Sequence, residues 1–323
     1  MKKTLWGALA VTTLLLTGCG ETEKTADQKP EATATITINN EGVTTHYEQA
    51  PEKAIAVNQH ATEVMLALGL EDKMVGTAYL DNQIYKPLQK AYNQVPVLAK
   101  EYPTKEQVIA TEADFVYAGW PSAFDAKAIA TRQELAALGI NTYIQSSSVK
   151  VAPTLDDVYR DIQQLAKIFR IDERGDKLVA DINDDVQDIT EELPATKKPL
   201  KVLIYDSGEK EIFTATQNFM NTLVTLAGGT NVFGDIKDNW ATVSKEEAVD
   251  RQPEVIVIMD YGATTAEEKM AFLKKDPALS QTPAVQQQRF VILPLSAASE
   301  GVRVAEALEI LAQGFYPEAF SND

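Results

Sequence analysis

The chain alternates short, unbroken apolar runs with longer stretches in which apolar residues recur every three or four positions. Short runs of this kind are strands and the longer periodic stretches are helices, so the pattern predicts strands and helices in alternation. In the first half the strand candidates are Ile55-Ala56-Val57, Met74-Val75-Gly76, Phe115-Val116-Tyr117 and Thr142-Tyr143-Ile144, with a short edge strand over Thr35 to Asn39. Helices are expected between them, notably Ala61 to Leu70 and Lys127 to Leu138. A second set opens with Val202 to Tyr205 and continues with Val255 to Met259 and Phe290 to Leu293. The β-branched run Val255 to Met259 suits a strand buried on both faces. Alternation of this kind gives an α/β class with mostly parallel sheets, in two units.

Between the units, Leu178, Ile182, Val186, Ile189 and Leu193 follow one another at steps of four, four, three and four. That spacing draws one apolar stripe along a continuous helix, and Pro194 and Pro199 stop it. At 1.5 Å per residue, some twenty residues make a rod of ~30 Å, about one domain across.

The N-terminus changes the picture of where the body resides. Lys2 and Lys3 precede an apolar run from Leu5 to Leu16, too short for a membrane span but suited to an export signal. Leu16-Thr17-Gly18-Cys19 resembles the bacterial lipobox, in which the cysteine is acylated and becomes the mature N-terminus. Cys19 is the chain's single cysteine, so the mature fold has no disulfide and no thiolate metal site. Residues 20 to 34 are polar and aperiodic, as in a tether. The expected organisation is a signal peptide over 1–18, a tether over 19–34, a first lobe over 35–170, a linking helix over 171–195 and a second lobe over 196–323. Without Lys2 and Lys3, 28 basic residues face 47 acidic ones, a formal charge of −19. Such a balance argues against nucleic acid as partner and against binding to anionic lipid by basic side chains.

The two halves repeat a pattern. Thr104-Lys105-Glu106 and Ser244-Lys245-Glu246 each open a short helix that leads, through Asp114 and Glu254, into a strand. The hydroxyls are N-caps, and acids in the first turn are favoured by the helix dipole. From spacing alone, Glu106 and Glu246 need do no more than start their helices. The alternative is a matched pair of exposed carboxylates presented to a two-fold partner. A looser echo pairs residues 61–69 with residues 221–229.

The phrase LVTLAGGTNVFGD…WATVSKEEAVDRQPEVIVIMDYG, with ATEVMLALGLEDKMVG upstream, resembles the iron-siderophore and cobalamin family of ABC substrate-binding proteins, over essentially everything from Thr35 onward. The resemblance implies two Rossmann-like α/β lobes joined by one long α-helix, with a ligand cleft between them. It also implies that one glutamate on each lobe docks with the dimeric ABC permease, and Glu106 and Glu246 occupy those positions. A monomeric binding protein held on the outer face of the membrane by its lipid follows, with an iron chelate of the siderophore type as ligand and cobalamin or haem as the alternative; the alternative of a different class is a surface interaction lipoprotein with a macromolecular partner. No resident cofactor is implied.

In open α/β sheets ligands lie beyond the carboxyl ends of the strands. Reading just past each strand gives Tyr79, Trp120, Tyr205, Trp240, Tyr261 and Arg303 as ligand-binding candidates. Tyr and Trp offer flat area with a polar handle, and an Arg can pair with the negative charge of a chelate. His60 also follows a strand, but a lone loop histidine is more often a surface or capping residue. Free-metal capture is disfavoured, since the chain has two histidines, His46 and His60. No phosphate loop, GxSxG or HExxH motif is present, so enzymatic readings have little to build on.

Overall fold

The computed structural model describes residues 34–195 and 198–320. The signal peptide over 1–18, the lipidation candidate Cys19 and all of the 19–34 tether but Ala34 lie outside the described residues. The described residues from Thr35 onward form one compact unit containing two separate main sheets.

The first strands are β1 (Ile36–Asn40) and β2 (Val43–Tyr47), β3 (Ala54–Val57), β4 (Met74–Ala78), β5 (Val97–Ala99), β6 (Phe115–Ala118) and β7 (Asn141–Ile144). The expected edge strand at 35–39 is instead half of the β1–β2 hairpin, an antiparallel two-stranded sheet of its own. Its turn uses Glu41 and Gly42, both at positive φ. Asn40 fastens the hairpin to the lobe, exchanging hydrogen bonds of 2.8 Å with the backbone of Ile144 in both directions. The other five strands are all parallel in the order β5-β4-β3-β6-β7. The chain steps outward from β3 to β5 and then returns to place β6 on the other side of β3. The strand order therefore reverses between β3 and β6, which opens a crevice at their carboxyl ends.

The second lobe holds β8 (Leu200–Ser207), β9 (Ile212–Ala215), β10 (Gly229–Asn231), β11 (Trp240–Val243), β12 (Val255–Asp260) and β13 (Phe290–Pro294). Its order is β11-β9-β8-β12-β13, with β10 also on β8. The sheet is mixed rather than parallel throughout, because β9 returns antiparallel to β8 through a tight hairpin. Here the order reverses between β8 and β12, at residues 206–208 and 260–261.

The linking helix runs Asp172–Glu192, with Ile182 and Val186 buried. Gly175 lets it lie close against the preceding helix Leu155–Ile168, since a Cβ there would meet the Ala166 Cβ at 2.4 Å. Ile182 and Val186 join Tyr143 and Val158 of the first lobe and Val202, Leu308 and Phe315 of the second in one continuous apolar cluster. Each lobe has a further cluster on its outer face. The helix expected over Lys127 to Leu138 is shorter, Arg132–Ala137. Thr131 and Glu134 form a capping box that fixes its start, while Ile129 and Ala130 are buried in the loop before it. Among the described residues no helix is long and apolar enough to cross a membrane.

Candidate functional site

Both reversals of strand order face the same space between the lobes, and the side chains found there are aromatic, acidic or amide. Beyond β3, Asn58 takes a positive φ of 74° and is fully buried. Its Nδ2 donates to the Tyr102 hydroxyl at 3.1 Å, and its Oδ1 accepts from the Trp120 backbone at 3.3 Å. Asn58 therefore ties together the segments that follow β3, β5 and β6. Tyr102 packs edge-on against Tyr79, with ring centroids 4.6 Å apart, and both rings are half-buried. Tyr79 has φ 61°, a left-handed conformation that is costly for an aromatic residue. The loop it starts is held by Gln59, whose Oε1 accepts from the backbone of Asp81 at 3.1 Å and of Asn82 at 2.8 Å.

His60 is buried, not superficial, and lies against Trp120 with centroids 4.8 Å apart. Burial pushes its imidazole down to about 4, with the Gly119 backbone offsetting part of the effect, so the ring is neutral at pH 7. Two glycines from opposite lobes admit it: a Cβ on Gly119 would sit 2.2 Å from His60 Nε2, and one on Gly301 would sit 3.1 Å from its Cβ. Among the described residues its Nε2 finds no hydrogen-bond partner.

From the second lobe, Tyr261 follows β12 and donates to Asp206 Oδ1 at 2.8 Å. Burial raises the Tyr261 hydroxyl above its ordinary range, and Asp206 and, from the first lobe, Asp81 and Tyr79 raise it further. Those charges act across the gap, so the two lobes present phenols and carboxylates to each other. Asp81 and Asp206 are themselves raised by burial. Lys269, also buried, is 4.8 Å from the Tyr261 ring centre and donates to the Met259 carbonyl at 2.6 Å.

Of the sequence candidates, Tyr79, Trp120 and Tyr261 meet this space. Tyr205 does not. β8 continues to Ser207, so Tyr205 lies inside the strand, and its hydroxyl donates to the Gly208 carbonyl at 2.9 Å. Its ring stacks near Phe272 and lines a separate cavity of about 360 Å³ within the second lobe. Because strand side chains alternate, the next residue, Asp206, takes the place facing the cleft. Trp240 begins the edge strand β11, half-buried and stacked on Phe213 with centroids 5.2 Å apart.

Arg303 is at the junction of the lobes but is already engaged. Its Nε and Nη2 donate to both oxygens of Glu63 at 2.8 and 2.6 Å, and Nη2 also donates to the Gln83 carbonyl at 2.6 Å. Arg303 is 6% exposed and Glu63 1%. Glu63 additionally accepts from Gln59 at 3.0 Å and from the Tyr85 backbone at 2.9 Å. Asn82 adds a second link between lobes, donating to the Asp260 carbonyl at 3.2 Å and accepting from the Ser296 backbone at 3.1 Å. Sequence reading passed over Glu63, Asp206 and Tyr102. The signal for Glu63 was an acid set inside an otherwise apolar helix, and the other two carry none that is local.

On the outer surface, Glu106 and Glu246 have corresponding positions in their lobes. Helices Lys105–Ala110 and Lys245–Asp250 are capped by Thr104 and Ser244, and both glutamates are exposed. The neighbouring lysines are paired within the lobes, Lys105 with Glu134 at 3.0 Å and Lys245 with Asp276 at 2.6 Å.

The family model described as periplasmic binding protein matches residues 55–297, which spans both lobes and the linking helix. The chain belongs to the periplasmic binding protein family. It is 29% identical, over 98% of both chains, to an uncharacterized ABC transporter substrate-binding lipoprotein of Bacillus subtilis. It is 27% identical to a vitamin B12-binding protein of Vibrio parahaemolyticus, over 69% of this chain and 73% of the relative. A crystal structure of a periplasmic binding protein from Veillonella parvula superposes with a TM-score of 0.81 at 31% identity, covering 88% of this chain and 98% of that one. Periplasmic binding proteins of this iron-siderophore, vitamin B12 and haem class are non-enzymatic and deliver ligands to ABC permeases. The fold follows suit, with two lobes carrying parallel strands and one long helix between them. Among the described residues no three His, Asp or Glu side chains converge to hold a bare metal ion.

Proposed function

We propose that the protein captures a bulky metal chelate, of the ferric siderophore or corrinoid kind, in the cleft between its lobes, and that it releases the chelate to an ABC permease engaged through Glu106 and Glu246. The observation that carries this reading is the meeting of partly exposed rings and hydroxyls at both reversals of strand order: Tyr79, Tyr102 and Trp120 on one lobe, Tyr261 on the other. Rings of this kind give broad contact to a large ligand, and their polar ends fix its orientation. A chelate arrives with its metal already coordinated, which suits a cleft offering phenols and amides rather than a ligand cluster. The vitamin B12-binding name of the Vibrio relative favours the corrinoid as the second reading. Acylation at Cys19 would keep the protein at the outer face of the membrane, as the lipoprotein name of the Bacillus relative supports.

Titration of the full-length lipoprotein in detergent with ferric hydroxamates, ferric catecholates, cobalamin, haemin and free metal salts tests the reading. Saturable one-to-one binding of an intact chelate, without product formation, is expected. Binding of free metal in preference to every chelate would overturn it.

A further inference from the structure

Resting on the reading of this cleft as a chelate site, the side chains around it also define which chelates fit by charge. In such a cleft an arginine would ordinarily receive the carboxylates or catecholates of an anionic ligand, because its planar fork matches them two donors at a time. Arg303 has given that fork to Glu63 and a further donor to the Gln83 carbonyl. Its remaining nitrogen faces Glu306 at 3.5 Å, and the guanidinium lies 5.2 Å from the centre of the Tyr85 ring. Nη1 makes no hydrogen bond among the described residues, but with the side chain 6% exposed the guanidinium is kept from a ligand. Lys269 is likewise committed to a backbone carbonyl beneath Tyr261. Lys150, on the loop whose Ala152 amide donates to the second-lobe Gln217 carbonyl, is bound by both oxygens of Asp157 at 2.7 and 2.8 Å.

The carboxylate left partly exposed to the cleft is Asp81, which has no ion-pair partner among the described residues; Asp206 is buried beneath Tyr261, which donates to it, with the Lys269 charge nearby. An anionic ligand would meet Asp81 in a partly desolvated space where Arg303 and Lys269 are already engaged, whereas a positive group would be favoured there.

We propose that the cleft selects metal chelates without net negative charge, neutral or cationic, and that Glu63 sets this preference by holding Arg303 away from the ligand. Glu63 is a positioning residue. It acts on the ligand through the guanidinium it retains.

The test is calorimetric titration of the full-length lipoprotein in detergent with four probes: cationic ferrioxamine B, neutral cyanocobalamin, haemin with its two propionates, and trianionic ferric enterobactin. The wild-type protein should bind the tighter of the first two at least tenfold more tightly than either of the last two. Glu63→Gln should release the guanidinium and narrow that ratio at least tenfold. Asp81→Asn, a change at a half-exposed position that leaves the Arg303 pair intact, should lower affinity for ferrioxamine B several-fold and serves if the first variant does not fold. Wild-type affinity for enterobactin or haemin equal to or above that for the first two probes would overturn the charge selection while leaving chelate capture standing. Failure of all four to bind would instead remove the chelate reading itself, and the selection with it.

Discussion

Removing the Glu63 carboxylate by Glu63→Ala probes whether the lobe junction is held as the structure shows. The change leaves Arg303 charged, 6% exposed and facing a void. Breaking a buried ion pair from one side costs about 3–5 kcal/mol, chiefly because the surviving charge has no compensation. The Tyr85 amide also loses its acceptor, whereas Gln59 keeps a second one in the Gln83 carbonyl. Against a total stability of about 5–15 kcal/mol, such a loss is large. At about 2 °C per kcal/mol for a body of this size, the melting temperature should fall by ~6–10 °C. Denaturation of the wild type, Glu63→Leu, Arg303→Met and the Glu63→Leu/Arg303→Met double variant, measured beside Glu63→Ala, closes the cycle. The double variant should recover more than half of the loss, since it leaves no buried charge alone and fills the space with apolar volume. A Glu63→Ala loss below about 1 kcal/mol would refute the reasoning. It would mean that the pair is open in solution and that Arg303 is free to meet a ligand.

Further outcomes follow from the outer surface and from the second junction between lobes. Replacing Glu106 and Glu246 together by alanine should abolish uptake in whole cells while leaving chelate affinity within twofold, because both carboxylates are exposed and make no hydrogen bond or ion pair to the cleft side chains. Transport assays on the double variant check this, and undiminished uptake would count against docking at these positions. Glu300 lies at the junction, its carbonyl accepting from Gln145 Nε2 at 2.9 Å. Burial, with the Asp161 charge adding to it and its own amide opposing, pushes its carboxyl up to about 7. A carboxyl whose folded value is raised binds its proton more tightly in the folded state, so stability is lost as pH rises from the ordinary carboxylate value towards 7 and the full penalty is present above that. Glu300→Gln should therefore gain on the wild type by up to about 3 kcal/mol between pH 4.5 and pH 8. Urea midpoints that differ by the same amount at both pH values would contradict the assignment.

Much of the architecture was legible because its causes are local. Val255 to Met259 reads as a doubly buried strand because no polar residue interrupts it, and all five residues are buried. The stripe from Leu178 to Leu193 marks the linking helix and gives its C-terminal end to within a residue, while the helix itself begins at Asp172. The repeated Ser/Thr-Lys-Glu starts mark equivalent helices because an N-cap hydroxyl and the residues after it suffice to begin one. The same logic should have placed the start of helix Arg132–Ala137, since Thr131 and Glu134 are a capping box in plain sequence. Periodicity carried the expected helix too far back, into a buried loop.

What the sequence by itself determined is the alternation of strands and helices, the central strands of each half, the rod between them and the acidic, cysteine-poor chemistry of the body. Hydrophobic spacing and capping act over a few residues, and those are fully present in the chain. Which side chains share the cleft was decided only by the tertiary structure. A two-residue extension of β8 past its apparent end puts Asp206 rather than Tyr205 on the cleft side, beneath Tyr261, because neighbours on a strand face opposite ways. Glu63 and Arg303 stand 240 positions apart, and neither has a local partner that would reveal the other. Their pairing depends on two lobes being closed over one continuous core, and with it the charge that a ligand may bring.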